Sequence, residues 1–352
     1  MAIRFRGLVC LFTIVSVSAY ADFSEGRAAL KRGDYATAIA EFRPLAEAGD
    51  PASQANMGFL YSEGLGVTKD SMEALKWNRR AAEQNHPIAQ HNLGLMYAAG
   101  EGVNVDNVEA LNWFQKAASH GYSPAQYSLG VMFREGRGVA KSITESQRWT
   151  RKAAEQGHAA AQYNLGFMLV NGDGVPHNIA EGMTWVQKAA EQNDAIAQTY
   201  LGVMYAQGLG TAKNKLEALR WYLKAAQSGY ALAQYNAGSA YRVGSGIEID
   251  DHEAARWYQK AADQGHSEAQ NDLGTMYELG LGMTQDFAEA VKWFRKSANA
   301  GNSRGQMLLG CKYLEGRGVP KDKAEGINWL RKASDQGLAL ARQALEELHE
   351  KP

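Results

Sequence analysis

The sequence predicts an all-α fold, an α/α solenoid superhelix of repeated antiparallel helix pairs, and three spacings carry that prediction. All eight tryptophans, Trp77, Trp113, Trp149, Trp185, Trp221, Trp257, Trp293 and Trp329, stand 36 residues apart. Gly58, Gly94, Gly130, Gly166, Gly202, Gly238, Gly274 and Gly310 keep the same step, six of them directly after leucine. So do Asp70, Asp106, Ser142, Asn178, Asn214, Asp250, Asp286 and Asp322, each followed three residues later by glutamate. Eight units therefore run over 52–87, 88–123, 124–159, 160–195, 196–231, 232–267, 268–303 and 304–339. Residues 22–51 form a shorter capping helix pair ahead of them, and 340–352 a C-terminal capping helix. A pair cannot bury its apolar faces alone, so it stacks on its neighbours and the two ends need polar caps.

Within a unit, the first helix shows in AQYSLGVMF, where Ala125, Leu129 and Phe133 recur every four residues as one apolar stripe. The glycine beside that stripe forfeits about 1 kcal/mol of helix propensity, and its recurrence marks a point where the second helix comes too close for a β-carbon. Two further glycines, such as Gly64 and Gly66 or Gly316 and Gly318, fall where the first helix needs a C-cap and a turn through positive φ. A phosphate-binding loop is excluded. No third glycine, no Lys-Ser/Thr and no preceding strand accompany these pairs.

The second helix starts at the Asp, Asn or Ser named above, which with the glutamate at Glu73, Glu109, Glu145, Glu181, Glu217, Glu253, Glu289 or Glu325 makes a capping box. These carboxylates read as structural rather than as a row of acids or metal ligands. Trp221 with Ala225, and Trp257 with Ala261, lie four apart on the face that meets the first helix. Gly121, Gly157, Gly229, Gly265, Gly301 and Gly337 close the units in left-handed C-cap positions, with Asn85 and Asn193 as substitutes.

Residues 1–21 have Arg4 and Arg6, an apolar stretch from Leu8 to Val17, and Ala19 and Ala21 at a cleavage point, the layout of a signal peptide. The apolar stretch falls short of the roughly 20 residues that span a bilayer. Cleavage after Ala21 would leave 331 residues with a formal charge near −3, which recruits neither nucleic acid nor anionic lipid in bulk. The expected location is the bacterial periplasm or the exterior. Of the two cysteines only Cys311 would survive maturation, so no internal disulfide can form.

The run at 161–166 and the stretch from Trp185 to Ala190 complete a pattern that resembles the SEL-one-like repeat family, a relative of the tetratricopeptide repeats. The opening pair, with Gly26, Gly33, Tyr35, Ala38 and Phe42, resembles a tetratricopeptide repeat itself. The resemblance implies a scaffold or adaptor that holds another protein or an extended peptide, without a cofactor and without catalytic residues. Some secreted relatives staple each repeat with paired cysteines and were described as weak β-lactamases or penicillin binders, which makes a cell-wall-active enzyme or ligand binder the alternative. This chain lacks paired cysteines and has no Ser-x-x-Lys after the leader, the arrangement that puts a serine nucleophile and its lysine on one helix face.

No metal site is expected. His86, His158 and His266 share one repeat position beside a turn, where a polar turn residue is sufficient explanation and the units are too far apart to converge on zinc. His91 and His120 come near each other at a turn without a His-Glu-x-x-His pattern. Cys311 lacks a partner that would make it a nucleophile. For binding, the positions of Ala55, Phe59 and Ser62 on the first helix share a face that the family resemblance turns inward, along a concave groove. Tyr127, Tyr163, Phe167 and Tyr235 are the expected anchors there, with Arg134 and Arg242 as orienting charges. A repeated small rotation between units predicts an elongated, right-handed superhelix. Small-angle scattering from the monomer should give an extended profile, and a compact globule would reject this reading.

Overall fold

The computed structural model describes residues 21–349, so the expected signal peptide lies, but for Ala21, outside the described residues. Nineteen helices and no strand occur among those residues. α1 (Phe23–Arg32) and α2 (Tyr35–Glu47) form the opening pair. First and second helices then alternate: α3 (Pro51–Glu63), α4 (Ser71–Glu83), α5 (Pro87–Ala99), α6 (Asn107–Ser119), α7 (Ser123–Glu135), α8 (Ile143–Glu155), α9 (Ala159–Asn171) and α10 (Ile179–Glu191). The series continues with α11 (Ala195–Gln207), α12 (Lys215–Gln227), α13 (Ala231–Arg242), α14 (Asp251–Asp263), α15 (Ser267–Leu279), α16 (Phe287–Asn299), α17 (Ser303–Glu315) and α18 (Lys323–Asp335). α19 (Ala339–His349) ends it. The array divides into two compact units: one runs to Ser128 and adds Gly136–Ala140, the other takes Leu129–Glu135 and continues from Lys141.

In both units the helix pair is built on the mid-helix glycine. A β-carbon on Gly94 would lie 2.6 Å from Phe114 Cε1, and one on Gly274 2.6 Å from Phe294 Cε1, so the second helix seats an aromatic edge directly on first-helix backbone. The side chain seated there belongs to the residue after the repeat tryptophan, a ring in four of the eight pairs and Asn78, Thr150, Val186 or Leu330 in the others. The tryptophan itself turns the other way, between its own first helix and the preceding second helix. Trp77 packs with Phe42 and Met57, and Trp221 with Val186, Ala190 and Leu201. The expected stripe of Ala125, Leu129 and Phe133 is corrected here, because Ala125, Leu129 and Met132 are the buried set while Phe133 is half-exposed. At 3.6 residues per turn the third contact falls at i+7 rather than i+8.

The turns follow the backbone chemistry expected of them. Asn85 and Asn193 adopt φ of 63° and 65°, standing in for the glycines that end other units. The start of each second helix holds only half of the expected capping box. Asp70 Oδ1 accepts from Glu73 N at 3.0 Å, Asn214 Oδ1 from Glu217 N at 3.0 Å, and Asp286 Oδ1 from Glu289 N at 2.9 Å. The return bond from glutamate is replaced: the N–H groups of Asp70, Asn214 and Asp286 donate to the carbonyls of Tyr61, Tyr205 and Tyr277 on the first helix. The connecting loop thus folds back on its own helix, and the glutamates pair outward, Glu217 with Arg220 at 3.0 Å and Glu289 with Lys292 at 2.7 Å.

Sequence reading did not anticipate two regular features. A cation three residues on covers each tryptophan ring, from Arg80 over Trp77 at 4.8 Å to Lys332 over Trp329 at 4.0 Å, a contact worth about 0.5–1 kcal/mol at an exposed site. A buried glutamine near the start of each first helix also donates to a carbonyl at the end of the preceding second helix, as Gln54 Nε2 does to Ala46 O at 3.0 Å. It satisfies a helix-end acceptor that has no partner within its own helix. The half-box makes a distinction that urea unfolding can measure. Asn214→Ala should lose about 0.5–2 kcal/mol with the cap, while Glu217→Ala, which keeps its backbone N–H and gives up one exposed ion pair, should lose no more than about 1 kcal/mol.

Candidate binding face

The first helices supply the side chains expected to bind. On α9, Tyr163 and Phe167 are four apart and their ring centroids lie 6.1 Å from each other. Tyr200 of α11 completes the group, edge-on to Tyr163 at 5.9 Å and 5.4 Å from Phe167. Phe167 is the outermost of the three, 39% exposed. Tyr163 is half-buried against the core around Val186 and Leu201, and that burial, with Tyr200 next to it, raises its hydroxyl pKa. Ile196 and Leu232, exposed at the starts of α11 and α13, extend the apolar character of this face. Tyr200 was missed at the sequence level, although a signal was present: the same position holds asparagine at Asn56, Asn92, Asn164 and Asn236.

The other expected residues are placed differently. Tyr235 is half-buried, its ring stacked on His266 at 4.8 Å and 5.7 Å from Tyr258. Burial raises its pKa, with a further push from Asp272, which is itself paired with Arg304 at 2.9 Å. Arg242, on the same helix as Tyr235, forms an ion pair with Asp251 at 3.6 Å. Tyr127 belongs to the first compact unit and Arg134 to the second, and both are half-exposed. The structure therefore joins Tyr163 with Phe167 and sets Tyr235 among charged and polar neighbours.

Two shallow depressions open between neighbouring pairs at equivalent repeat positions. One, of about 170 Å³, is lined by Phe59, Ser62, Asn78, Asn92 and Leu95. The other, of about 190 Å³, is lined by Ala206, Tyr222, Asn236, Ser239 and Val243, and burial pushes the Tyr222 hydroxyl up to about 12. Each offers an apolar wall and an amide, which suits a single side chain better than a small-molecule substrate.

The remaining chemical candidates have structural roles. His86, His158 and His266 are helix N-caps, each Nδ1 accepting the N–H of the alanine three residues on, at 3.2–3.3 Å. His91 lies against Phe114 and Tyr122 and 3.1 Å from Ser128 Oγ, while His120 is the exposed C-cap of α6. Cys311 packs against Leu330 and the closing helix, and burial raises its thiol pKa, with Glu315 adding to the effect. The neighbouring Lys312 is buried between Glu278 at 2.6 Å and Glu315 at 2.7 Å. Desolvation acts to lower its pKa, but these two carboxylates outweigh it and the net shift is upward. Among the described residues no three His, Cys, Asp or Glu side chains converge as a metal-binding set, and no helix is long and apolar enough to cross a membrane.

The Sel1 repeat profile matches residues 51–86, 87–122, 123–158, 159–194, 195–230, 231–266, 267–302 and 303–338. Among solved structures, a Sel1 repeat protein from Oxalobacter formigenes is similar at 34% identity, covering 88% of this chain and 90% of its own, with a TM-score of 0.65. The protective antigen c5321, present in uropathogenic Escherichia coli strains and displaying an SLR fold, is similar at 30% identity, covering 93% and 82%, with a TM-score of 0.63. A signal-transduction ATPase with a tetratricopeptide repeat sensor from Pyrococcus horikoshii shares the fold alone, at 13% identity and a TM-score of 0.53 over 94% of this chain and 55% of its own. No curated protein matches.

The His86 cap makes stability depend on pH. Burial holds His86 below its ordinary value, with Asp50 opposing, and its Nδ1 accepts only while unprotonated. Its contribution should be complete above the unfolded-state value near 6.5 and lost as pH falls through the lower folded value. His86→Asn, copying the Asn302 cap that accepts from Gly305 N at 3.0 Å, should flatten that part of the curve when thermal midpoints are measured against pH.

Proposed function

The chain belongs to the Sel1 repeat family, and from that membership we propose that it is a non-enzymatic scaffold of the bacterial cell envelope or exterior that holds another protein or an extended peptide on its first-helix face. The fold is one commonly used for protein–protein interaction. The observation that carries the proposal is the aromatic group of Tyr163, Phe167 and Tyr200, one ring of which stays 39% exposed. Rings that are fixed by packing lose little entropy on binding, and a hydroxyl at the edge of such a patch can bond a partner backbone. Within the second compact unit, Tyr235 would extend the contact along the face, with Arg134 orienting a carboxylate or carbonyl and Arg242 doing so in exchange with Asp251. The depressions beside Phe59 and Tyr222 would seat individual side chains.

Export is supported by the three-part layout of residues 1–21 and agrees with the similarity to a protective antigen. N-terminal sequencing of the chain recovered from envelope and culture fractions should begin at Asp22. A photo-crosslinking residue at position 167 should capture the partner in cells. With that partner purified, Phe167→Ala and Tyr200→Ala should each weaken binding about tenfold or more while the thermal midpoint changes little. Unchanged affinity in the double variant would move the site to another surface.

A further inference from the structure

The buried glutamines that open the first helices, Gln54 and its equivalents every 36 residues, are all 6% exposed or less. Each keeps a side-chain oxygen to be satisfied after its Nε2 has been used. Where the turn that closes the same repeat begins in glutamine, the need is met from within the chain. Gln84 Nε2 donates to Gln54 Oε1 at 2.8 Å, Gln192 to Gln162 at 2.7 Å, Gln264 to Gln234 at 2.8 Å and Gln336 to Gln306 at 2.8 Å. The same amide reaches a second acceptor one helical turn back, Lys188 O at 3.5 Å or Lys260 O at 3.3 Å. A carboxamide NH2 is thus held between two oxygens.

The series is interrupted at His120, Ser228 and Ala300. Opposite His120 and Ala300 the oxygens of Gln90 and Gln270 are fully enclosed. At Ser228 the outcome differs. Its hydroxyl turns back to Ala225 O at 2.7 Å, and among the described residues no donor reaches Gln198 Oε1, whose amide donates to Ala190 O at 3.0 Å. A cleft of about 570 Å³ opens there, lined by Ala190, Glu191, Gln198, Trp221, Lys224 and Ser228 among others, and the longer side chain would reach into it. The backbone is not the reason: Ser228 has φ −77° and ψ 0°, against −84° and 2° at Gln264.

We propose that this cleft binds a primary carboxamide, the side chain of a glutamine on a polypeptide partner, with its NH2 donating to Gln198 Oε1 and to Lys224 O. The chain's own repeats define the ligand, since an identical group occupies the equivalent position four times. A carboxylate has no proton to donate. An ammonium would find Glu191 in the lining but would also face the Lys224 ammonium, which sits 4.0 Å from the centre of the Trp221 ring, and it lacks the planar NH2 that the equivalent positions hold. The ligand's methylene arm would lie along the indole, and solvent at Gln198 Oε1 would be displaced on binding. This site lies at the turn following α12, none of Tyr163, Phe167 and Tyr200 lines it, and it stands independently of the proposal for that face.

The test uses the full chain and two probes, N-acetylglutamine methylamide and its glutamate counterpart. In nitrogen-15 spectra the glutamine probe should shift the Gln198 side-chain amide saturably, and the glutamate probe should not. Ser228→Gln should fill the cleft with the chain's own amide, raise the thermal midpoint and weaken the glutamine probe about tenfold or more, as expected for loss of roughly one well-placed bond. A saturable shift that persists in Ser228→Gln, an equal response to the glutamate probe, no saturable shift at all, or a Ser228→Gln variant with no gain in thermal midpoint would each overturn the assignment.

Discussion

The approach of each second helix to the backbone of its first helix is the constraint on which the rest depends. Because Gly94 or Gly274 carries no side chain, a phenylalanine ring rests where a β-carbon would otherwise be, and the two helices become one rigid piece. Gly202 and Gly238 take tyrosine in the same way. Only with that distance fixed can the tryptophan one residue earlier point away from the pair and fill the seam toward the preceding second helix. The glycine's loss of helix propensity, about 1 kcal/mol, is offset by close packing on both sides of it.

The seams are polar as well as apolar. Each is closed by a glutamine bonded to the end of the preceding second helix, so a helix-end carbonyl becomes part of the joint between repeats. The tryptophan indoles show a related competition. Glu181 receives the Trp185 N–H at 3.3 Å and also Arg151, and the residue three after it is Thr184. Where that position holds a cation, as with Arg220 and Lys292, the glutamate turns to it, and the indole N–H groups of Trp221 and Trp293 are buried without an acceptor among the described residues.

Function in such an array resides in departures from the repeat. Tyr200 stands in a row where asparagine is commonest and closes an aromatic group; Ser228 stands in a row dominated by glutamines and opens a polar cleft; Lys312 stands in a row of Leu, Met and Ala and is buried between two carboxylates. Each departure alters chemistry while leaving the backbone in place, which is how one frame can present several different surfaces.

The sequence by itself determined the helix pairs, their order, the mid-helix glycines, the N-caps and the left-handed turns at Asn85 and Asn193. These depend on contacts within a few residues or on a period repeated eight times, and both are visible in a linear chain. Only the tertiary structure decided what a side chain meets across a seam. It turned the expected capping glutamates outward, because the N–H of Asp70 or Asn214 is already bonded to a first-helix carbonyl. It buried Met132 in place of Phe133, paired Arg242 with Asp251, and gave His86 a capping bond that its position beside a turn did not specify. It joined Tyr200 to Tyr163 and Phe167 across 33 to 37 residues of chain, and left Gln198 Oε1 facing a cleft. Such outcomes depend on which of several competing partners lies nearest once the helices have packed, and that distance is not written in any one repeat.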